Sequence, residues 1–351
     1  MSASASATEA HYAHRRVLIA IDVSAASERA LAYAQRMLHA NAFVHLVSIA
    51  ENPRTLVPLG SHAMSFLHAA RNELLKDAAD CLSRAQRTMT RRPDIVVSTE
   101  VVDLSAHGGD IVDALTDRAQ TWQADLAIVG TRRHHGVRRW IEGAVSGPLA
   151  ARIGCPLLIV PEGFVPNADA LPRRILFAVD GRGPALDALR VGLQFATPGA
   201  ELRALYVVDR AVSLGDFVPI DTVERALNAE GDTALREATA MLVAIGAHAH
   251  SHLTQTDQTA PDVPHAIVRE AVEWHADLTV MGTHGRRGIA GWALGSVAER
   301  VARITNTPLL LVNANPPDAQ QSGGRPIIRN DGPLEMQHIV RGIRPAAVRL
   351  R

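Results

Sequence analysis

Short apolar runs alternate along the chain with longer stretches in which apolar positions return every three or four residues. The runs read as buried strands and the longer stretches as amphipathic helices. Strands fall near Val17, Val44, Val96, Leu126 and Leu157, and again near Ile175, Leu202, His250, Leu278 and Leu309. Helical periodicity marks Ser27 to Leu38, Met64 to Thr90 and Ile111 to Trp122, then Ala185 to Phe195, Thr222 to Ile245, Val263 to Trp274 and Val297 to Ile304. Strand alternating with helix predicts parallel sheets with right-handed crossovers and helices on both faces. The predicted class is α/β, as two tandem doubly wound domains of five strands each.

The tandem reading rests on self-similarity. Arg15-Arg16-Val17-Leu18-Ile19-Ala20-Ile21-Asp22 returns as Arg173-Arg174-Ile175-Leu176-Phe177-Ala178-Val179-Asp180, and Ala124 to Thr131 returns as Ala276 to Thr283. Pro156 to Val160 likewise returns as Pro308 to Val312. Asp22 and Asp180 stand 158 positions apart but Gly130 and Gly282 only 152, so the copies differ by a short insertion between these landmarks. The segment Pro161 to Pro172, rich in turn formers, suits a linker. The expected division is a flexible tail at 1–14, a first module at 15–165, a second at 172–315 and a tail at 316–351 that reads as disordered and solvated, its arginines notwithstanding.

Composition narrows the function. A chain of 351 residues suits two cores, and 47% apolar with 21% charged residues is globular rather than disordered. The 36 basic and 36 acidic side chains cancel, which disfavours nucleic acid and anionic membrane as partners and confines any anion site to a local one. Cys81 and Cys155 form no CxxC or pairing pattern, so a reducing cytoplasm is the expected compartment. Met1 to Arg16 has no apolar signal core, and no stretch reads as a membrane span.

The most informative segment runs from Gly282 to Ser296, directly after a strand and into a helix. Its glycines allow backbone N–H groups to form a concavity for phosphate oxygens, and the helix start adds unpaired donors, with Ser296 expected at the cap. The spacing is neither GxxxxGK[ST] nor GxGxxG, which argues against a P-loop NTPase and a dinucleotide-binding domain. Gly282, Gly285, Gly295 and Ser296 fall on G-x2-G-x9-G-[ST], and here the chain resembles the universal stress protein family over nearly all of residues 15 to 315. The resemblance implies a sheet of order 3-2-1-4-5 in each module. It also implies an ATP or AMP site formed by Asp180, Val207, Met281, Gly282, Gly285, Gly295 and Ser296, with the need for magnesium left open. A carboxylate at the carboxyl edge of a strand suits ribose hydroxyls on general grounds as well, and Arg286 and Arg287 could add charge near phosphates.

The first module departs from this pattern. Arg133 stands where the second glycine belongs and Ala144 where the hydroxyl belongs, while Asp22, Val47, Gly130 and Gly143 remain as weaker candidates. A left-handed backbone at Arg133 would cost about 1–2 kcal/mol. The first module is therefore expected to have lost its ligand and to survive as a packing partner or regulatory surface.

Other features are given plainer readings. His248, His250 and His252 share one face of a strand, a spacing metals use, yet acidic or cysteine ligands are not near in sequence, so a solvated face is favoured and no metal is expected. His134, His135 and His284 are read as exposed loop residues and Trp140 and Trp292 as packing beneath the loops, and no residue is assigned a catalytic role. The expected function is nucleotide binding in a stress-response or regulatory role. The alternatives are a nucleotide-free interaction module and an adenylating or pyrophosphatase-like enzyme. The last strands of the two modules, Leu157 to Val160 and Leu309 to Val312, are expected to pair within the chain, with pairing of whole chains and an unknown protein partner left open.

Overall fold

The structure is a computed structural model that describes residues 15–56, 64–131, 145–165, 172–210, 220–244, 248–257, 262–283 and 294–313. The first module runs β1 (Arg16–Ala20), α1 (Ala25–Met37), β2 (Phe43–Ala50), α2 (Pro53–Leu56), α3 (Met64–Met89), β3 (Val96–Asp103), α4 (Leu104–His107), α5 (Ile111–Thr121), β4 (Leu126–Thr131), α6 (Ser146–Arg152) and β5 (Leu157–Pro161). The second repeats it with β6 (Arg174–Ala178), α7 (Gly183–Leu193), β7 (Glu201–Val208), α8 (Ile220–Val243), β8 (His248–Gln255), α9 (Val263–Glu273), β9 (Leu278–Gly282), α10 (Ser296–Ile304) and β10 (Leu309–Val312). Each strand expected from the apolar runs is present. The helices not anticipated, α2, α4 and α6, are too short to show a period.

The ten strands form one sheet in the order β3-β2-β1-β4-β5-β10-β9-β6-β7-β8. Each half has the order 3-2-1-4-5 with parallel neighbours, and the halves join where β5 meets β10 antiparallel, Leu158 opposite Leu310. The expected pairing of last strands inside the chain is therefore present. Sequence and position agree: β5 and β10, at the middle of the sheet, are buried at every residue, whereas β3 and β8, at its edges, carry exposed polar residues.

The length difference between the modules lies between the second and third strands. Forty-six positions separate Ala50 from Val96, and forty separate Val208 from His248. Strand positions before this interval correspond at an offset of 158, and those after it at 152.

Capping fixes where helices start. Ser24 accepts from the Ser27 N–H at the start of α1, Asp110 and Asp113 form a reciprocal capping box on α5, and Asp262 accepts from His265 N–H on α9. The sheet has an apolar cluster on each side, and each cluster draws on both modules: Val17, Tyr33, Phe177 and Leu310 on one side, Leu18, Leu157, Leu176 and Leu309 on the other. Each fully buried leucine contributes about 1.5–3 kcal/mol relative to exposure.

Candidate functional site

The candidate site lies at the carboxyl ends of β6, β7 and β9. In the sheet β6 lies between β7 and β9, so the chain leaves it in one direction and returns on the other, the switch point at which open α/β sheets hold ligands. The pairs Phe177 with Val280 and Ala178 with Leu205 set the register, which puts Asp180, Val207 and Thr283 level with one another at this edge.

Asp180 follows β6 and precedes Gly181, whose φ of +78° is open to glycine but strained for other residues. That turn brings the Arg182 N–H to Asp180 Oδ1 at 3.1 Å and leaves Asp180 Oδ2 buried without a hydrogen-bond partner. A buried carboxylate oxygen lacking a donor is costly, and a ligand hydroxyl would relieve that cost.

The base of the glycine loop is closed by one residue. Thr283, buried just after β9, donates its N–H to Val312 O at 3.0 Å and accepts the Gly295 N–H on its own carbonyl at 2.8 Å. Gly295 is the N-cap of α10 without a side-chain cap, and Ser296 is the first helical residue, exposed. Ser296 therefore does not cap the helix, contrary to the expectation from sequence, because the chain turns into helix one residue earlier, at Gly295. The Ser296 hydroxyl and the N–H groups of the first helical turn, which have no partner within the helix, stand beside Gly295. Asp262, the N-cap of α9, also holds the middle of α10: its carboxylate takes Arg300 at 2.6 Å and His265 Nδ1 at 2.8 Å. Burial pushes that carboxyl up, but His265 and Arg300 outweigh it and hold it below the usual range. Met281 is buried and Gly282 half-buried at the end of β9, whereas Gly285, Arg286 and Arg287 lie outside the described residues.

The first module meets the same edge differently. Val23 replaces Gly181 and Ser24 replaces Arg182, and Ser24 donates both its N–H, at 2.9 Å, and its hydroxyl to Asp22 Oδ1. The Asp22 N–H in turn goes to Ser27 Oγ at 3.1 Å. Asp22 is thus engaged by the chain's own helix cap. The pattern Ser24-x-x-Ser27, against Arg182-x-x-Ala185, was the available sequence signal for this difference.

Gly130 has a packing explanation. A Cβ there would lie 2.3 Å from Ala26 O and 2.7 Å from Ser27 N, because α1 passes directly over the end of β4. Its retention therefore does not require a ligand. Val47 pairs with Ala20 and is fully buried, and the register makes Leu205 its counterpart in the second module, whereas Val207 corresponds to Ile49. The two strand-two candidates named from sequence are not equivalent positions. Arg133, Gly143 and Ala144 lie outside the described residues, as do His134, His135, His284, Trp140 and Trp292.

Away from this edge, the sheet face under α5 and α9 carries two related polar clusters. In the first module His45 on β2 meets Glu100 on β3 at 3.2 Å, Glu100 takes Arg118 of α5 at 2.8 Å, and Trp122 stacks on His45. In the second module the equivalent positions are Arg203, His252 and Glu270, with His252 at 3.3 Å from Glu270 and Arg203 over the Trp274 ring. Of the three alternating histidines, His252 thus turns to a carboxylate. Among the described residues no three His, Cys, Asp or Glu side chains gather as a metal would need.

A doubly wound module with a glycine loop at its switch point, repeated in tandem, defines a class, and comparison with known proteins names it. The universal stress protein family model matches residues 13–161 and again 172–313. The chain belongs to the universal stress protein family, as a member with two modules in tandem. A universal stress protein of Methanocaldococcus jannaschii is 32% identical over 157 residues, covering 43% of this chain and 88% of its own length. Another from Mycolicibacterium smegmatis is 26% identical over 317 residues, covering 84% of this chain and 96% of its own, so it is similar across both modules. The crystal structure of a universal stress protein from Archaeoglobus fulgidus matches with a TM-score of 0.57 at 18% identity, covering 87% of this chain and 100% of that one, a likeness of fold. Among the described residues no helix is long and apolar enough to cross a membrane.

Proposed function

We propose that the second module binds an adenine nucleotide, ATP or AMP, and that its occupancy serves a regulatory role in the stress response, while the first module does not bind one. The observation that carries this reading is the inequality of the two aspartates: both take a backbone N–H on Oδ1, but Asp180 has a buried Oδ2 with no donor, whereas Asp22 is exposed and its Oδ1 takes the Ser24 hydroxyl as well. In this reading Asp180 accepts from a ribose hydroxyl and Val207 borders the base. Gly282, Gly285, Gly295 and Ser296 present N–H and hydroxyl donors to the phosphates, and Met281 packs behind them.

The test is to denature the purified chain and identify any nucleotide released, and then to titrate variants with ATP. Loss of a charged acceptor costs about 1.5–3 kcal/mol, so Asp180→Asn is expected to weaken binding roughly ten- to a hundredfold and Asp22→Asn to leave it unaltered. Gly285→Arg, which copies Arg133, and Ser296→Ala are also expected to weaken it. Unchanged affinity in both of these would sink the loop assignment, and no binding at millimolar nucleotide would favour a ligand-free interaction module.

A further inference from the structure

The outer side of α3 carries its charges in a divided order. Glu73, Asp77, Asp80, Arg84, Arg87 and Arg91 recur at alternating steps of four and three, which places them on one stripe of the helix and of the turn that ends it. All six are exposed, and among the described residues none is ion-paired. The helix dipole favours acid in the first turn and base in the last, but Glu73, Asp77, Asp80 and Arg84 stand beyond either end turn of this 26-residue helix. Within one chain the order is unfavourable. Glu73 with Asp77, Asp77 with Asp80, Arg84 with Arg87 and Arg87 with Arg91 are like charges three or four apart, and along the stripe only Asp80 with Arg84 is an opposite pair at that spacing. Lys76, beside the stripe, offsets part of the acidic half.

The fold does not require this division. On α8, the corresponding helix of the second module, Glu224, Arg225, Glu230, Asp232, Arg236 and Glu237 intersperse the two signs. What the α3 stripe matches is itself in reverse. Turned end for end about Leu82, a second α3 sets Glu73 against Arg91, Asp77 against Arg87 and Asp80 against Arg84, and two-fold symmetry makes each pair twice. The four-and-three spacing is that at which packed helices face each other, so the pairs fall in successive layers of one contact. Phe66, seven positions before Glu73, continues the stripe toward the start of α3 and is 55% exposed, an apolar group that a partner there would cover.

We propose that the exposed stripe of α3 is an interaction surface for a second copy of this chain, docked antiparallel, helix against helix. Ion pairs at a surface are individually weak, so the association is reversible and sensitive to salt, and the charges set its direction and partner more than its strength. The helix packs on β2 and on the edge strand β3, so the contact lies at the margin of the first module, away from the carboxyl ends of β6, β7 and β9. It gives the first module, with its altered loop, a role that needs no ligand.

The experiment is sedimentation of the full chain over a range of concentrations, at about 0.1 M and about 1 M salt, between which the screening length falls from roughly 10 Å to 3 Å. The unaltered chain should dimerise, and more weakly at the higher salt. Two charge-reversed chains then test the stripe: Glu73→Lys, Asp77→Lys, Asp80→Lys makes it wholly basic, and Arg84→Glu, Arg87→Glu, Arg91→Glu wholly acidic. Each alone should dimerise about a hundredfold more weakly, because like charges then face one another. An equal mixture of the two should restore a dimer at least as tight as that of the unaltered chain, since every facing pair is opposite again, and that restoration also shows both variants to be folded. An unaltered chain that stays monomeric throughout overturns the proposal, and so does a dimer indifferent to salt, a readout that needs no variant. Reversed chains that dimerise as tightly as the unaltered one place the contact elsewhere and overturn it too, as does a mixture that remains monomeric.

Discussion

Single residues decide how the two modules differ, and Gly130 and Asp22 show it from opposite sides. Gly130 keeps a family glycine because the α1 backbone passes where a Cβ would stand, so Gly130→Ala forces a shift in α1 or β4. Such overpacking costs about 1–3 kcal/mol, and the urea midpoint of this variant is expected to fall accordingly, with no nucleotide involved. Asp22 keeps its carboxylate but is held by Ser24. Asp and Gly are legible as letters at both sites, and from sequence alone both suggest a ligand. The close approach of α1 to Gly130 and the Ser24 hydroxyl reaching back two residues are not legible in the sequence, since both depend on the path of the backbone after β1. The thiols give a second check at this scale. Burial, reinforced by Asp125, pushes the Cys155 thiol up to about 12, and Cys81 is buried as well. Thiolate is the reactive form, so a disulfide reagent at pH 8 is expected to leave both cysteines unmodified until denaturant is added.

At the scale of elements, strand and helix positions follow from the apolar pattern because core burial dominates there, while the polar clusters on the sheet face depend on which strands become neighbours. His45 lies 55 positions from Glu100 and Glu100 lies 18 from Arg118, with 49 and 18 between Arg203, His252 and Glu270; the pairing of β2 with β3 under α5, and of β7 with β8 under α9, brings each trio together. The same three places therefore hold cation and anion in permuted order, a relation the repeat alignment alone does not announce. Arg118→Glu is expected to destabilise the first module by placing a carboxylate against Glu100. The triple variant His45→Arg, Glu100→His, Arg118→Glu reproduces the second module's arrangement and should recover most of that loss. Non-additivity between contacting groups is the readout, measured as urea midpoints of the single, double and triple variants. The pH dependence has a definite sign. His45 lowers the Glu100 carboxyl most, burial opposes it, and Arg118 lowers it further, so its folded value lies below the ordinary one. A depressed carboxyl stabilises fully above about pH 4.3 and loses that contribution as pH falls through the folded value. Glu100→Gln should accordingly be less stable than the unaltered chain at neutral pH and converge with it on acidification.

At the scale of the whole molecule, the question is whether two modules of one family behave as two domains or as one. Separate domains usually meet through modest, partly polar surfaces and unfold independently. Here β5 and β10, buried at every residue, cover each other along the seam, and both apolar clusters run through it. Tyr33 of α1, fully buried, donates its hydroxyl to Asp277 O beyond the seam at 3.1 Å, and its ring meets Phe164 at 5.7 Å. Neither module pairs the outer edge of its last strand without the other, which predicts a single cooperative transition for residues 15–313. The four tryptophans allow this to be read module by module, since Trp122 sits beside His45 in the first and Trp274 beside Arg203 in the second. In chains retaining only Trp122 or only Trp274, the urea midpoints should coincide. Leu158→Ala then provides the decisive comparison: it opens a cavity against Leu310 worth about 2–5 kcal/mol, and although Leu158 belongs to the first module, it should lower the Trp274 midpoint as much as the Trp122 midpoint. A shift confined to the Trp122 reporter would mean that the modules fold apart across the β5–β10 seam.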